Sequence, residues 1–264
     1  MFPSKTTVIS GGSVYDTRHS VLFDGTNDFI AIADNNAFSF TDGNDLPFSL
    51  GGWFYLDNPS ADQVLMAKYD ANGSNKEWLL IYVNDDGSDN EWISFSLYTP
   101  SGGFSSSHAY RVATSAGGVN EYKNKWVHIL ATYGGGEDPS DQTIYLNGVA
   151  KGNHNVDETY GAANDMGNTG AGVTIGGRYN TAPATHINFK GYLDGMAIWN
   201  AELTSVDAVA MYNGGTPTDL AINHSTNLVG YWSKGSGTTI KDSSGNGRNG
   251  TLTDGASFSN VIPG

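Results

Sequence analysis

Cysteine is absent from the 264 residues. Disulfides, thiolate metal sites and cysteine nucleophiles are thereby excluded, although no compartment follows, because a large all-β domain can be stable outside cells without staples. Charge is sparse at 15% of residues, which excludes a coiled coil or a long-helix protein. Basic residues are scarcer still: 13 stand against 27 acidic ones, for a formal net charge of −14. Such a surface repels phosphate backbones and anionic lipid heads, so neither nucleic acid nor a membrane is the expected partner. Long apolar runs are also missing. The longest, Trp78–Val83, is far short of the roughly 20 residues a spanning helix needs, and the start MFPSKTTVISGG has no apolar signal region. The expectation is a soluble chain that is not exported by a standard signal.

What is present points to a buried core: 38% of residues are hydrophobic and 12% aromatic. Val, Ile, Phe, Tyr and Trp recur with period two between clusters of Gly, Asn, Asp and Pro, which is how short antiparallel strands read. Strands are predicted at 20–23, 29–33, 48–56, 64–69, 78–83, 92–98, 109–113, 126–133, 143–146, 173–176, 192–199 and 228–232. That number suits an all-β, two-sheet antiparallel sandwich. Asn147-Gly148 sits between alternating arms and predicts a two-residue type I′ hairpin, since both residues tolerate positive φ. The run 84–91 reads as a second, solvated hairpin tip, and 161–172 as a long surface loop rather than a domain linker. One helix is expected near the C-terminal end. Thr204 and Asp207 form a capping box, Val206, Val209 and Ala210 supply its apolar face, and Asn213-Gly214-Gly215 ends it.

Five segments together carry a resemblance: SVLFDGTNDFIAIAD at 20–34, PFSLGGWFYL at 47–56, KWVHILATY at 125–133, IYLNGVAKG at 144–152 and KGYLDGMAIWNAELT at 190–204. In this order they resemble a laminin-G-like, concanavalin A-like jelly-roll domain over residues 20–212. The stretches 211–220, 227–237 and 242–253 resemble a tail that accompanies such domains in structural proteins of tailed phages and marine viruses. The implied organisation is an N-terminal arm or edge strand at 1–19, the jelly roll at 20–212, and a C-terminal extension at 213–264 packing on the same domain. The resemblance implies functions from glycan binding and adhesion to virion decoration, and fold alone does not choose among them.

Two candidate sites follow. Asp and Asn oxygens are hard ligands suited to calcium. Asp24 and Asn27 lie on the turn after the first strand, and the resemblance places the strand holding Asp194 beside it, where relatives hold a structural calcium. Glycan binding needs an aromatic face flanked by polar groups. Tyr98, Phe104 and Tyr110 border one polar loop, and Tyr160 and Tyr179 border others, whereas Trp53 and Trp126 read as core. An enzyme of this fold would carry Glu-x-Asp-x-x-Glu on one strand, which is absent, and the six His show no ligand spacing. The leading expectation is a non-enzymatic virion decoration protein. It would dock as a homo-oligomer on a capsid or fibre protein, with cell-surface glycans as a secondary partner. A calcium-dependent carbohydrate-binding module or adhesin in the extracellular space is the alternative, and a lectin-fold glycoside hydrolase the third.

Overall fold

A computed structural model describes residues 19–57, 59–70, 75–84, 91–99, 110–115, 118–151, 166–177 and 187–264, with Tyr110 described by its backbone alone. The strands in chain order are β1 (Ser20–Asp24), β2 (Phe29–Ile32), β3 (Phe48–Leu56), β4 (Gln63–Tyr69), β5 (Lys76–Val83), β6 (Trp92–Leu97), β7 (Tyr110–Ala113) and β8 (Trp126–Tyr133). They continue with β9 (Gln142–Leu146), β10 (Val149–Ala150), β11 (Val173–Ile175), β12 (Lys190–Trp199), β13 (Leu228–Ser236), β14 (Thr239–Asp242), β15 (Gly250–Thr253) and β16 (Ser257–Ser259). Two helices, α1 (Ser205–Tyr212) and α2 (Leu220–Asn223), lie between β12 and β13.

All the pairings are antiparallel, in the order β10-β9-β8-β3-β12-β13-β14-β15-β2-β11-β4-β5-β6-β7, with β1 joining β12 to β16. The ribbon folds over into two layers that share one core. Phe48, Leu50 and Phe54 of β3 and Val127, Ile129 and Tyr133 of β8 face Trp78, Leu80 and Tyr82 of β5 and Ile93, Phe95 and Leu97 of β6. Alternation is the cause: in FSLGGWFYL every second side chain points inward, and the intervening ones point out. The run Trp78–Val83 is apolar throughout because β5 is covered on both faces, Leu79 and Ile81 packing with Val64, Ala67 and Tyr98 on the outer side.

Several expectations are met in detail. Asn147 and Gly148 take φ of 51° and 77°, as a type I′ turn requires, and Val149 returns opposite Leu146. Thr204 caps α1 with the reciprocal Asp207 contact, and Asn213 leaves the helix at φ 44°. The helix docks by a different face from the one expected. Ala208 and Met211 are buried against Trp199, Tyr231 and Leu220, while Val206 and Val209 are 75% and 59% exposed and Ala210 is exposed. The small Ala208 lets the helix approach the sheet closely, and Val209 instead sits over Gly148 of the hairpin.

Residues 213–264 do more than pack on the domain: they complete it. β13 pairs with β12, β15 with β2 and β16 with β1, and Trp232, Ile240 and Leu252 enter the main core. The turn after β14 is held by Asp242, whose carboxylate accepts from the backbone N–H of Tyr231, Ser244 and Arg248. Trp232 Nε1 donates to Arg248 O at 2.8 Å. Single apolar residues amid Gly, Thr and Asp left β14, β15 and β16 without a readable period.

The core also holds a lysine. Lys68 is fully buried, its ammonium 3.0 Å from Glu77 Oε1 and 2.8 Å from Asp34 Oδ1, and it donates to the carbonyls of Thr169 and Ala171. Burial pushes the Glu77 carboxyl up, against the pull of the Lys68 ammonium. A buried pair of this kind adds little over an apolar replacement of both partners, yet losing one strands the other. Lys68→Ala is therefore expected to lose about 3–5 kcal/mol in urea unfolding. Asp34→Ala, whose side chain is 36% exposed, should lose no more than about 1 kcal/mol.

Candidate functional site

The outer face of β3, β8 and β12 is built by register. Tyr192, Tyr55 and Trp126 stand directly opposite one another on the three strands, and two residues along stand Asp194, Trp53 and His128. Their sequence neighbours Leu193, Phe54 and Val127 face the core, so all six point away from it. On one side α1 and α2 cover this face, over Leu130, Ala197 and Trp199. Among the described residues no segment covers the other side, and there Tyr55, Trp126 and Tyr192 are half-buried.

The three open rings form a compact triangle rather than a strip. Centroids lie 5.8 Å apart for Tyr55–Trp126, 5.6 Å for Tyr55–Tyr192 and 6.4 Å for Trp126–Tyr192, with interplanar angles of 71°, 81° and 46°. Strands two apart in a sheet are separated by roughly 9.6 Å, so Trp126 and Tyr192 lean toward each other over Tyr55. Leu22 of β1, opposite Tyr192 and 37% exposed, extends the apolar surface. Beyond it Asp24 stands opposite Lys190, whose carbonyl accepts from Asp57 N and whose Nζ lies 3.1 Å from Asp57 Oδ2.

The inner row closes the site against the helices. Trp53 is 4% exposed and meets His128 edge-on at 5.2 Å and Tyr212 of α1 at 6.0 Å. A small cleft runs between them, lined by Trp53, His128, Gly195, Met211, Thr218 and Leu220. His128 Nδ1 and Thr218 Oγ1 are buried there with no hydrogen-bond partner among the described residues. Burial pushes the His128 imidazole down to about 3, with His224 adding to the effect, so the ring is neutral at ordinary pH.

The predicted calcium ligands do not converge. Asp24 lies opposite Lys190, four residues along β12 from Asp194, a separation of about 13 Å at strand rise. Asp24 is exposed and accepts from Thr26 N at 2.7 Å, Asn27 is half-buried in the same turn, and Asp194 is buried beside Trp53 on the outer face. Among the described residues no group of three or more His, Asp or Glu is arranged to hold a metal. Two orphaned oxygens lie at the same turn, one on Asp28 within it and one on Asn188, which bonds to it from just before β12. Asp28 Oδ1 and Asn188 Oδ1 are buried with no hydrogen-bond partner, although Asp28 Oδ2 accepts from Asp24 N and the Asn188 amide donates to Thr26 O. Glycines keep the space beside them open: a Cβ on Gly255 would fall 2.7 Å from Asp28 Oδ1, and one on Gly177 2.9 Å from Asn188 Oδ1. Burial, with the charges of Asp24 and Asp254, holds the Asp28 carboxyl above its usual range.

Of the predicted glycan-contacting aromatics, Tyr98 is 4% exposed and packs edge-on against Tyr69 at 5.1 Å, so it presents no open ring face. Phe104, Tyr160 and Tyr179, and the side chain of Tyr110, lie outside the described residues. Trp126, expected in the core, is on the outer face, and Tyr55 and Tyr192 were missed. The signal was there in the pairs Trp53-x-Tyr55, Trp126-x-His128 and Tyr192-x-Asp194, each two apart on a strand.

A family model described as the concanavalin A-like lectin/glucanases superfamily matches residues 24–208. The chain belongs to this superfamily. Among solved structures sharing this lectin-like fold is a putative carbohydrate binding protein from Bacteroides ovatus, with a TM-score of 0.63 and 17% identity over 98% of this chain and 67% of that one. Another is the native heptameric SAP-like pentraxin from Limulus polyphemus, with a TM-score of 0.56 and 12% identity over 93% of this chain and 96% of that one. No curated protein matches the sequence. At these identities the likeness extends to the fold alone, and the site of this lectin-like domain must be argued from its own residues.

His128 gives that face a pH signature. Its folded-state pKa, about 3, lies below the 6.5 of an unfolded histidine, so the unfolded chain takes up the proton first. Stability is complete above pH 6.5 and is lost as pH falls toward 3. Urea unfolding from pH 7 to 4 should show wild type losing up to about 1.4 kcal/mol more per pH unit than His128→Gln.

Proposed function

We propose that the protein is a carbohydrate-binding domain and that Tyr55, Trp126 and Tyr192 are its contact surface. The single observation behind this is three half-buried aromatic rings gathered on an open sheet face, where folding alone gains nothing by exposing them. Aromatic faces receive sugar C–H groups, and the adjoining solvent-accessible Asp24, Lys190 and Asp57 can bond hydroxyls. The carbohydrate binding assigned to the Bacteroides ovatus structure supports the same reading.

Binding without turnover is part of the proposal. The buried glutamates Glu77 and Glu91 answer Lys68 and Lys123, and neither stands ready to protonate a leaving group. Display on a virion, docked to a capsid or fibre protein as a homo-oligomer, is the wider setting we propose. Its support is the sequence likeness at 211–253, residues that also serve the sandwich itself.

The calcium expectation moves to the β1–β2 turn, where Asp28 and Asn188 would hold the ion and the charges of Asp24 and Asp254 would favour it. A bound calcium would neutralise a desolvated carboxylate and tie the turn to the strand that follows Asn188. Thermal unfolding should rise by several degrees with millimolar calcium in wild type and stay unchanged in Asp28→Ala. An equal response in both proteins would place the ion elsewhere.

For the sugar site, glycan-array hits of wild type should weaken about tenfold in Trp126→Ala and in Tyr192→Ala, with unfolding midpoints close to wild type. Binding that survives both substitutions would remove this face from the proposal.

A further inference from the structure

Resting on the reading of this face as a glycan site, we infer that it takes a short, uncharged saccharide element of one or two rings, and neither an extended chain nor a crystalline surface. The shape of the aromatic cluster carries the inference. Three centroids within 5.6–6.4 Å of one another span little more than one pyranose ring in any direction, so among the described residues there is no line of platforms along which successive sugars could stack. The planes are inclined by 46–81°, and no flat polysaccharide face can rest on all three rings together. Such an arrangement surrounds a protruding unit, a chain end or a branch, instead of underlying a ribbon.

The surroundings limit the footprint further. Toward the helices the open face ends at Trp53, closed over by Tyr212, with the buried Nδ1 of His128 and Oγ1 of Thr218 in the cleft beneath. In the opposite direction it ends at Asp24, Lys190 and Asp57, where Asp24 stands opposite Lys190 and Lys190 is bonded to Asp57. A ligand between these limits meets the apolar triangle at its centre and the accessible polar groups of Asp24, Lys190 and Asp57 at one rim.

Charge sets the chemical class. The groups facing the triangle are Asp194 and neutral His128 on one side and Asp24, Lys190 and Asp57 on the other. Among the described residues the one cation in this group, Lys190, is ion-paired to Asp57 and flanked across the sheet by Asp24, and the chain as a whole carries −14. A uronate, sialate or sulfated sugar would meet this acidic surface with no free cation among the described residues to answer it, at a cost in affinity. An uncharged sugar meets no such penalty.

The test uses the full chain and its Trp126→Ala variant. An array of neutral and anionic oligosaccharides is probed first, together with sedimentation on microcrystalline cellulose and chitin. Titration calorimetry then follows the hit series from mono- to hexasaccharide. The expected result is neutral hits lost in Trp126→Ala, with affinity reaching its plateau by the disaccharide and changing less than about threefold beyond it. A rise of tenfold or more between di- and hexasaccharide, retention on the crystalline polymers, or preference for the anionic sugars, each abolished by Trp126→Ala, would overturn the short neutral ligand while leaving the face as the site. Binding indifferent to Trp126→Ala, or no binding to any probe, would overturn the site itself and the inference with it.

Discussion

The register of β3 against β8 and β12 is the constraint on which the rest of the molecule depends. It sets Phe54, Val127 and Leu193 into the core and Tyr55, Trp126 and Tyr192 out of it, in the same pairing. A slip of one residue on any of these strands would exchange the two sets, placing aromatic rings with polar edges inside and apolar side chains in water. Core packing therefore specifies the outer surface as well. Gly51 helps to hold this register, because a Cβ there would fall 2.1 Å from the carbonyl oxygen of Ile129 on β8.

Polar groups that the core cannot leave unpaired are used to tie loops to the layers. Asp45 is buried and accepts from Tyr133 Oη at 2.8 Å and from Met166 N at 2.6 Å, joining segments far apart in sequence. Ser49 does the same for the stretch leading into α1, its hydroxyl donating to Ala201 O and accepting from Leu203 N. Lys68 draws Asp34, Glu77 and the carbonyls of Thr169 and Ala171 around one ammonium. Each bond returns only part of what desolvation costs, but an unpaired partner would cost more, so the loops are held in single positions. The sheet face beyond α1 has no such covering segment among the described residues, and this leaves the aromatic triangle open.

Much of the architecture was legible because alternation is a one-dimensional signal. The strands at 48–56 and 126–133 follow the pattern residue by residue, and the hairpin at Asn147-Gly148 and the capping box at Thr204 are local chemistry whose partners lie within four residues. The misreadings share a cause of another kind. The tendency of large aromatics to be buried points Trp126 to the core, but period two says which residues share a face and not which face is inside. The apolar face of α1 failed similarly: Val206 and Val209 are more apolar than Ala208, yet the small residue is the one that fits against Trp199. Strand adjacency and the family resemblance place Asp24 near Asp194, whereas the observed register sets them four residues apart.

The sequence by itself determined the layered β architecture, the turns and caps, and the superfamily, because these depend on composition, on spacing and on neighbours along the chain. Tertiary structure alone decided that Tyr55, Trp126 and Tyr192 meet, that Lys68 is buried with Glu77, and that Asp28 and Asn188 each keep an oxygen without a partner. Those outcomes depend on register and on which surface a helix happens to cover, and both are set by long-range packing that no stretch of the chain carries within itself.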